Sequence, residues 1–174
     1  MKQIQIRKLS PVYAVRRLGL NDAESILQLC KGNTQYYEYC GKQPSLALIE
    51  QDLIVTPPGI PQEQKYYVGF FAEDVLMAVM DLIDGYPDEK SAFIGFFMMN
   101  HMCQGKGEGT KIVSHVFEHL RENGFEKCLL GIDKDNPQSN HFWKKNGFRV
   151  IREVEREDGT ILVAEKLLQS KRSC

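Results

Sequence analysis

Apolar and polar positions along this chain follow two periods, and each change of period marks an element. Val12 to Leu18 reads as a short strand. Asn21 or Asp22 can then cap a helix whose Ile26, Leu27, Leu29 and Cys30 share one stripe and which ends near Gly32. Pro44 suits the first position of a second helix, with Leu46, Ile49 and Leu53 on one side, stopped before Thr56-Pro57-Pro58-Gly59. Between these two helices lies an aromatic connection containing Tyr36, Tyr37 and Tyr39. Tyr66 to Phe71, Leu76 to Ile83 and Ala92 to Met99 read as strands, and their short polar connections make an antiparallel meander.

From Gly107 to Asn123 the period becomes 3.6: Ile112, Val113, Val116, Phe117 and Leu120 share a face, and Gly124 supplies a left-handed stop. Lys127 to Ile132 is a continuous apolar run, as in a strand buried on both faces. A helical crossover leads into it, so it should lie parallel to the preceding strand. Asn136-Pro137 opens a short helix that ends at Asn146-Gly147, and two last strands, Phe148 to Glu155 and Ile161 to Leu167, turn at Asp158-Gly159. The residues before Val12 read as a frayed leader, and Gln169 to Cys174 as a loose polar tail. The fold class is therefore α/β, a mixed and mostly antiparallel central sheet flanked by helices, with residues 1–174 read as a single domain.

Composition narrows the function. The 174 residues carry 22 Lys plus Arg against 23 Asp plus Glu, a formal net charge of -1. That balance gives no general attraction to a phosphate backbone, so nucleic acid is not expected as a partner. The longest apolar run, Phe93 to Met99, is far shorter than the roughly 20 residues of a membrane span, so a cytoplasmic protein without membrane association is expected. The five cysteines are odd in number and contain no C-x-x-C, which favours free thiols over a disulfide framework or a zinc ribbon. His115-Val116-Phe117-Glu118-His119 matches a zinc peptidase pattern, but Val116 and Phe117 take the buried stripe and no third ligand is evident. Solvated histidines and no metal are the reading.

Chemistry concentrates in Gln104-Gly105-Lys106-Gly107-Glu108-Gly109-Thr110, between a strand and the helix with the clearest period. Alternate glycines let successive N–H groups converge ahead of a helix N-terminus, which makes an anion cradle suited to a pyrophosphate. A dinucleotide fingerprint fails here because Thr110 or Ile112 stands where its last glycine is needed, and a Walker loop fails because Gly109-Thr110-Lys111 has the wrong order.

Gln104, Gly107 and Gly109 match the Gln/Arg-x-x-Gly-x-Gly/Ala phosphate loop of the GNAT superfamily of N-acetyltransferases, which the chain resembles. The stretch from Asn136 to Phe148 is similar to that family's Asn-x-x-small-x-x-Phe/Leu-Tyr-x-x-x-Gly-Phe helix and turn. The resemblance implies a sheet whose fourth and fifth strands splay to admit the pantetheine arm of acetyl-CoA. It further implies that the backbone of Phe97, Met98 and Met99 bonds that arm, and that Gln104, Gly105, Lys106, Gly107, Glu108, Gly109 and Thr110 hold the pyrophosphate, Lys106 reaching a phosphate. Asn136 would contact the pantetheine from the far side, and Trp143 would lie near the thioester sulfur. The function implied is direct acetyl transfer from acetyl-CoA to a primary amine of a small molecule, an aminoglycoside or a protein, with a homodimer as the family-level assembly.

Three positions depart from the family pattern. Trp143 stands where a Tyr acid is usual, and an indole N–H has no usable acid proton. Phe93 stands where a Glu base is often found. If residues 85 to 90 form the hairpin loop, Asp84 lies opposite Ser91 on the face of Phe93 and is the first candidate base; Asp81 is the alternative, since a one-residue slip exchanges them. Glu108 adds negative charge beside the proposed pyrophosphate site. These replacements leave a second reading, a non-catalytic acyl-CoA-binding or sensor domain. A hydrolase using Cys103 lacks a His and Asp partner set.

Overall fold

The computed structural model describes residues 4–168. Its strands are β1 (Ala14–Arg17), β2 (Lys65–Ala72), β3 (Val75–Asp84), β4 (Ser91–Met99), β5 (Lys127–Asp133), β6 (Arg149–Arg156) and β7 (Gly159–Leu167). They form a seven-stranded sheet in the order β1-β2-β3-β4-β5-β7-β6. Only β4 and β5 pair in parallel; the other neighbours are antiparallel, so the mixed, mostly antiparallel α/β architecture stands. Helices α1 (Ala23–Lys31), α2 (Thr34–Cys40), α3 (Leu46–Ile54), α4 (Glu108–Glu122) and α5 (Pro137–Lys145) complete it. Among the described residues no helix is long and apolar enough to cross a membrane.

The alternation of side chains along β2 to β5 builds a core on each face of the sheet. On one face Val68, Phe70, Met80, Leu82, Ile94 and Leu130 pack with the α4 stripe of Ile112, Val113, Val116, Phe117 and Leu120. On the other, Tyr67, Val79 and Met98 pack with Ile26, Leu27 and Cys30 of α1 and Ile49 and Leu53 of α3. Each such side chain contributes about 1.5–3 kcal/mol when fully buried. At the end of α4, Gly124 takes φ +84° and Phe125 N–H reaches back to the Leu120 carbonyl at 3.0 Å, closing the helix as the glycine predicts.

Several expectations change. The leader is not frayed over its described part: Ile4 and Leu9 are buried, and the Gln5 N–H donates to Nε2 of His119 at 3.1 Å. His119 is accordingly buried, not solvated. The strand expected from Val12 begins at Ala14 because Ser10 Oγ accepts from the N–H groups of Val12 and Tyr13 and holds the chain in a turn. The aromatic connection is itself helical, α2, closed by Gly41 at φ +72°. Ser45, not Pro44, starts the helix that follows, its hydroxyl accepting from the Leu48 N–H at 3.2 Å. Gln169 to Cys174 lie outside the described residues.

The β3–β4 hairpin corrects the reading of the two aspartates. Gly85, at φ +81°, carries the ladder one step further and donates its N–H to the Ser91 carbonyl at 2.9 Å. Asp84 therefore pairs with Ala92 instead of Ser91, and Ile83 pairs with Phe93. This is the one-residue slip that exchanges the faces: Asp81, not Asp84, shares the face of Phe93. A bulge then places Asp81 opposite Phe96 and leaves Gly95 as the extra residue.

His119 makes stability depend on pH. Burial holds its imidazole below the ordinary value of 6.5, with Glu122 opposing, and Nε2 accepts from the Gln5 N–H. Between that lowered pKa and 6.5 the unfolded chain binds more protons, so this contribution is present above pH 6.5 and is lost as pH falls through the folded value. Melting temperature should fall more between pH 7 and pH 5 for the wild type than for His119→Gln; equal slopes would contradict the anchor.

Candidate active site

β4 and β5 pair from Ser91 to Ile94 against Lys127 to Leu130, and among the described residues the pairing stops there. The rest of β4 keeps β3 on one side and has no strand on the other. The Asn100 N–H donates to the Met77 carbonyl at 2.7 Å, which sets the alternation of the ladder. Phe96 and Met98 thus turn their peptide groups toward β3, whereas Phe97 and Met99 turn theirs into the gap. A cleft of about 300 Å³ opens at this place, lined by Phe97, Met98 and Met99 of β4, by the loop to α4, and by Gln138, Ser139, Phe142, Trp143 and Lys145 of α5. Tyr36 of α2 closes another side.

The loop has the backbone that its glycines predict. Gly105 at φ +79° and Gly107 at φ +76° are both left-handed, and a Cβ at either would meet nothing, so the choice of glycine is conformational. Gly107 caps α4, so the N–H groups of Glu108, Gly109 and Thr110 are first-turn donors without partners inside the helix. All three residues line the cleft, as do Gln104, Gly105 and Gly107; Lys106 is exposed and does not. Gly109 packs against Met99 and Phe142, with a Cβ position 3.4 Å from each.

Glu108 is tied off on two sides. The Tyr13 hydroxyl donates to its Oε2 at 2.6 Å and Lys111 Nζ lies 3.2 Å from its Oε1. These two partners hold its carboxyl below the usual range, and the bond to Glu108, with burial second, pushes the Tyr13 phenol up to about 12.

Trp143 is buried among aromatic rings: Phe142 at 4.8 Å, Phe148 at 5.3 Å and Phe97 at 5.9 Å between centroids. Phe97 stacks on Phe142 at 6.0 Å. This wedge holds α5 away from β4 and faces the cleft with ring surface. Asn136 is buried and caps α5, its Oδ1 accepting from the Ser139 N–H at 3.1 Å; it is outside the cleft lining.

The two aspartates occupy different places. Asp84 lies opposite Ala92, five residues before Phe97, or about 17 Å along the strand at ~3.4 Å per residue. Asp81 lies opposite Phe96, next to the cleft-lining part of β4. Its Oδ2 accepts from Lys65 Nζ at 2.7 Å, and its buried Oδ1 has no hydrogen-bond partner among the described residues. A Cβ on Gly95 would sit 2.7 Å from Oδ2, so glycine there makes room for the carboxylate over β4. Burial pushes the Asp81 carboxyl up, with Lys65 opposing. Burial also pushes the Tyr36 phenol up to about 12, so it stays protonated near neutral pH.

Asn33 lines the cleft as well and gave no signal in the sequence, because its partners Met99 and Gln104 are 66 and 71 residues away. Tyr36 was visible only as part of an aromatic stretch. Among the described residues no group of three or more His, Cys, Asp or Glu side chains could hold a metal ion.

The sequence model of the Acetyltransferase (GNAT) family matches residues 26–148. No curated protein matches the chain. Solved structures that share the fold include an acetyltransferase from Thermus thermophilus, with TM-score 0.71 and 19% identity over 90% of this chain and 98% of that one. The PaiA N-acetyltransferase of Thermoplasma acidophilum, solved with coenzyme A, has TM-score 0.64 and 18% identity over 88% and 97%. A spermidine N-acetyltransferase SpeG chimera from Vibrio cholerae and hSSAT has TM-score 0.66 and 18% identity over 90% and 96%.

The Lys65–Asp81 pair is desolvated, with side-chain exposures of 2% and 12%. Lys65→Met should therefore strand a buried carboxylate and lower unfolding free energy by roughly 3–5 kcal/mol. An unchanged urea midpoint would show that the pair contributes nothing to stability.

Proposed function

Because the chain belongs to the GNAT acetyltransferase family, we propose that it transfers an acetyl group from acetyl-CoA to a primary amine by direct attack, both substrates being held in the one cleft. The observation that carries this reading is the gap beyond Ile94 and Leu130, which opens directly onto the loop with left-handed Gly105 and Gly107. A strand gap suits an extended arm that bonds main-chain groups, and convergent N–H groups at a helix N-terminus suit a diphosphate. The residues present therefore fit the carrier, which supplies an activated thioester when bound.

The roles follow from placement. Phe97 offers its peptide N–H and C=O to the gap, and such a fixed donor stabilises the oxygen charge that develops in acyl transfer. Gly105, Gly107, Glu108, Gly109 and Thr110 offer main-chain groups to the diphosphate, with the Glu108 carboxylate tied to the Tyr13 hydroxyl and to Lys111. Trp143 and Phe142 form the apolar wall that excludes water. Asp81 is the base: it is the carboxylate adjacent to the cleft-lining part of β4, it has an unoccupied oxygen, and its raised pKa brings it closer to the working pH of a general base. A base is required because an alkylamine of pKa about 10 is mostly protonated near neutrality. The Asp81 carboxylate opposite Phe96 and the Tyr36 phenol on the cleft wall suit a cationic acceptor, the class that includes polyamines, aminoglycosides and protein amines.

Calorimetry with CoA, and release of free CoA thiol from acetyl-CoA with a panel of those amines, test the reading. Binding together with amine-dependent release is expected. Binding without release would identify an acyl-CoA-binding module, and absence of binding would remove the carrier altogether. Asp81→Asn should lower kcat/KM by roughly 10²–10⁴-fold and remove the limb on which activity falls as pH drops through the carboxyl's pKa. Asp84→Asn should keep that limb. The opposite pattern would move the base to Asp84.

A further inference from the structure

Opening the sheet beyond Ile94 removes strand partners from every second peptide of β4, and buried main-chain carbonyls must then be satisfied in another way. The Met99 carbonyl faces this gap. It accepts from Nδ2 of Asn33 at 3.0 Å, a contact made from the corner between α1 and α2. The same nitrogen also donates to the Leu29 carbonyl, one of the last carbonyls of α1, at 2.9 Å. The other end of the amide is used too: Asn33 Oδ1 accepts from Nε2 of Gln104. Asn33 is buried, and both ends of its side-chain amide are engaged.

One side chain thus joins three cleft walls: the α1–α2 corner that leads to Tyr36, the open end of β4, and the first residue of the glycine loop. Gln104 is exposed overall, yet its amide nitrogen points inward to Asn33 and lies 3.4 Å from the Met99 carbonyl. The glutamine of the loop motif therefore braces the loop against β4, while Gly105, Gly107 and Gly109 line the cleft.

We infer that Asn33 is a positioning residue for the carrier cleft, holding the Met99 carbonyl and the Gln104 side chain so that the gap and the loop keep the spacing a ligand needs. This rests on the proposed acetyl-CoA reading. A purely structural role, capping α1 through Leu29, would change stability and leave carrier affinity alone. A positioning role makes Asn33 and Gln104 act as a unit, so their effects on affinity do not multiply.

The test is CoA affinity by calorimetry for wild type, Asn33→Ala, Gln104→Ala and the double variant, with steady-state kinetics in acetyl-CoA alongside. Each single change should weaken CoA about tenfold, the size of one lost hydrogen bond. The double variant should be at most about twofold weaker than the weaker single, and KM should rise while kcat at saturation changes less than about threefold. Wild-type affinity in Asn33→Ala, or effects that multiply to about a hundredfold, would overturn the inference. Failure of the wild type itself to bind CoA would instead remove the functional reading. Should Asn33→Ala not fold, Asn33→Asp carries the test: it keeps the shape and the acceptor for Gln104 but turns an oxygen toward the Leu29 and Met99 carbonyls, and the same loss of CoA affinity is expected.

Discussion

A parallel strand pair that stops pairing halfway leaves main-chain groups that need partners, and that requirement organises the whole open end of this sheet. Over Ser91 to Ile94 the partner is β5; beyond it the partner is no longer a strand. Met99 is satisfied by the amide of Asn33, and Phe97 keeps its peptide groups turned to the cleft. The separation persists because an aromatic wedge fills the interior behind it: Phe97, Phe142, Trp143 and Phe148 pack at centroid distances of 4.8–6.0 Å. The cleft is thus a consequence of packing on one side and of missing hydrogen bonds on the other.

Charge is arranged to the same end. The helix that ends the glycine loop begins with a carboxylate, Glu108, at a place where an anion would otherwise be repelled. Tyr13 and Lys111 engage both of its oxygens, so its charge is compensated locally, and the next first-turn amides, of Gly109 and Thr110, border the cleft. On the opposite face of the sheet, Lys65 and Asp81 form a buried pair whose second carboxylate oxygen is unsatisfied. A buried group left half-satisfied costs stability, and such costs concentrate where a protein handles a ligand or a proton. Gly95 makes the arrangement sterically feasible, since any side chain there would collide with that carboxylate.

The order of strands and long helices, the antiparallel meander, the parallel crossover and the glycine loop were legible in the chain because each is encoded by neighbours in sequence: a period, a cap, a left-handed glycine. Local signals failed where the decisive partner was remote or the segment was short. Helix α2 spans only Thr34–Cys40 and mixes aromatic with polar residues, so it has no period to read. The N-terminal segment looked free because its anchor, His119, lies 114 residues from Gln5.

The sequence by itself determined the fold class and the position of the glycine loop, since hydrophobic period and glycine spacing are short-range properties of the chain. Only the tertiary structure decided which aspartate shares the face of Phe93, because one extra residue pair at Gly85 shifts the β3–β4 register by one residue and so exchanges the faces there. It alone also showed Asn33, whose importance is a matter of three carbonyl and amide groups meeting in space and leaves no pattern in the order of residues.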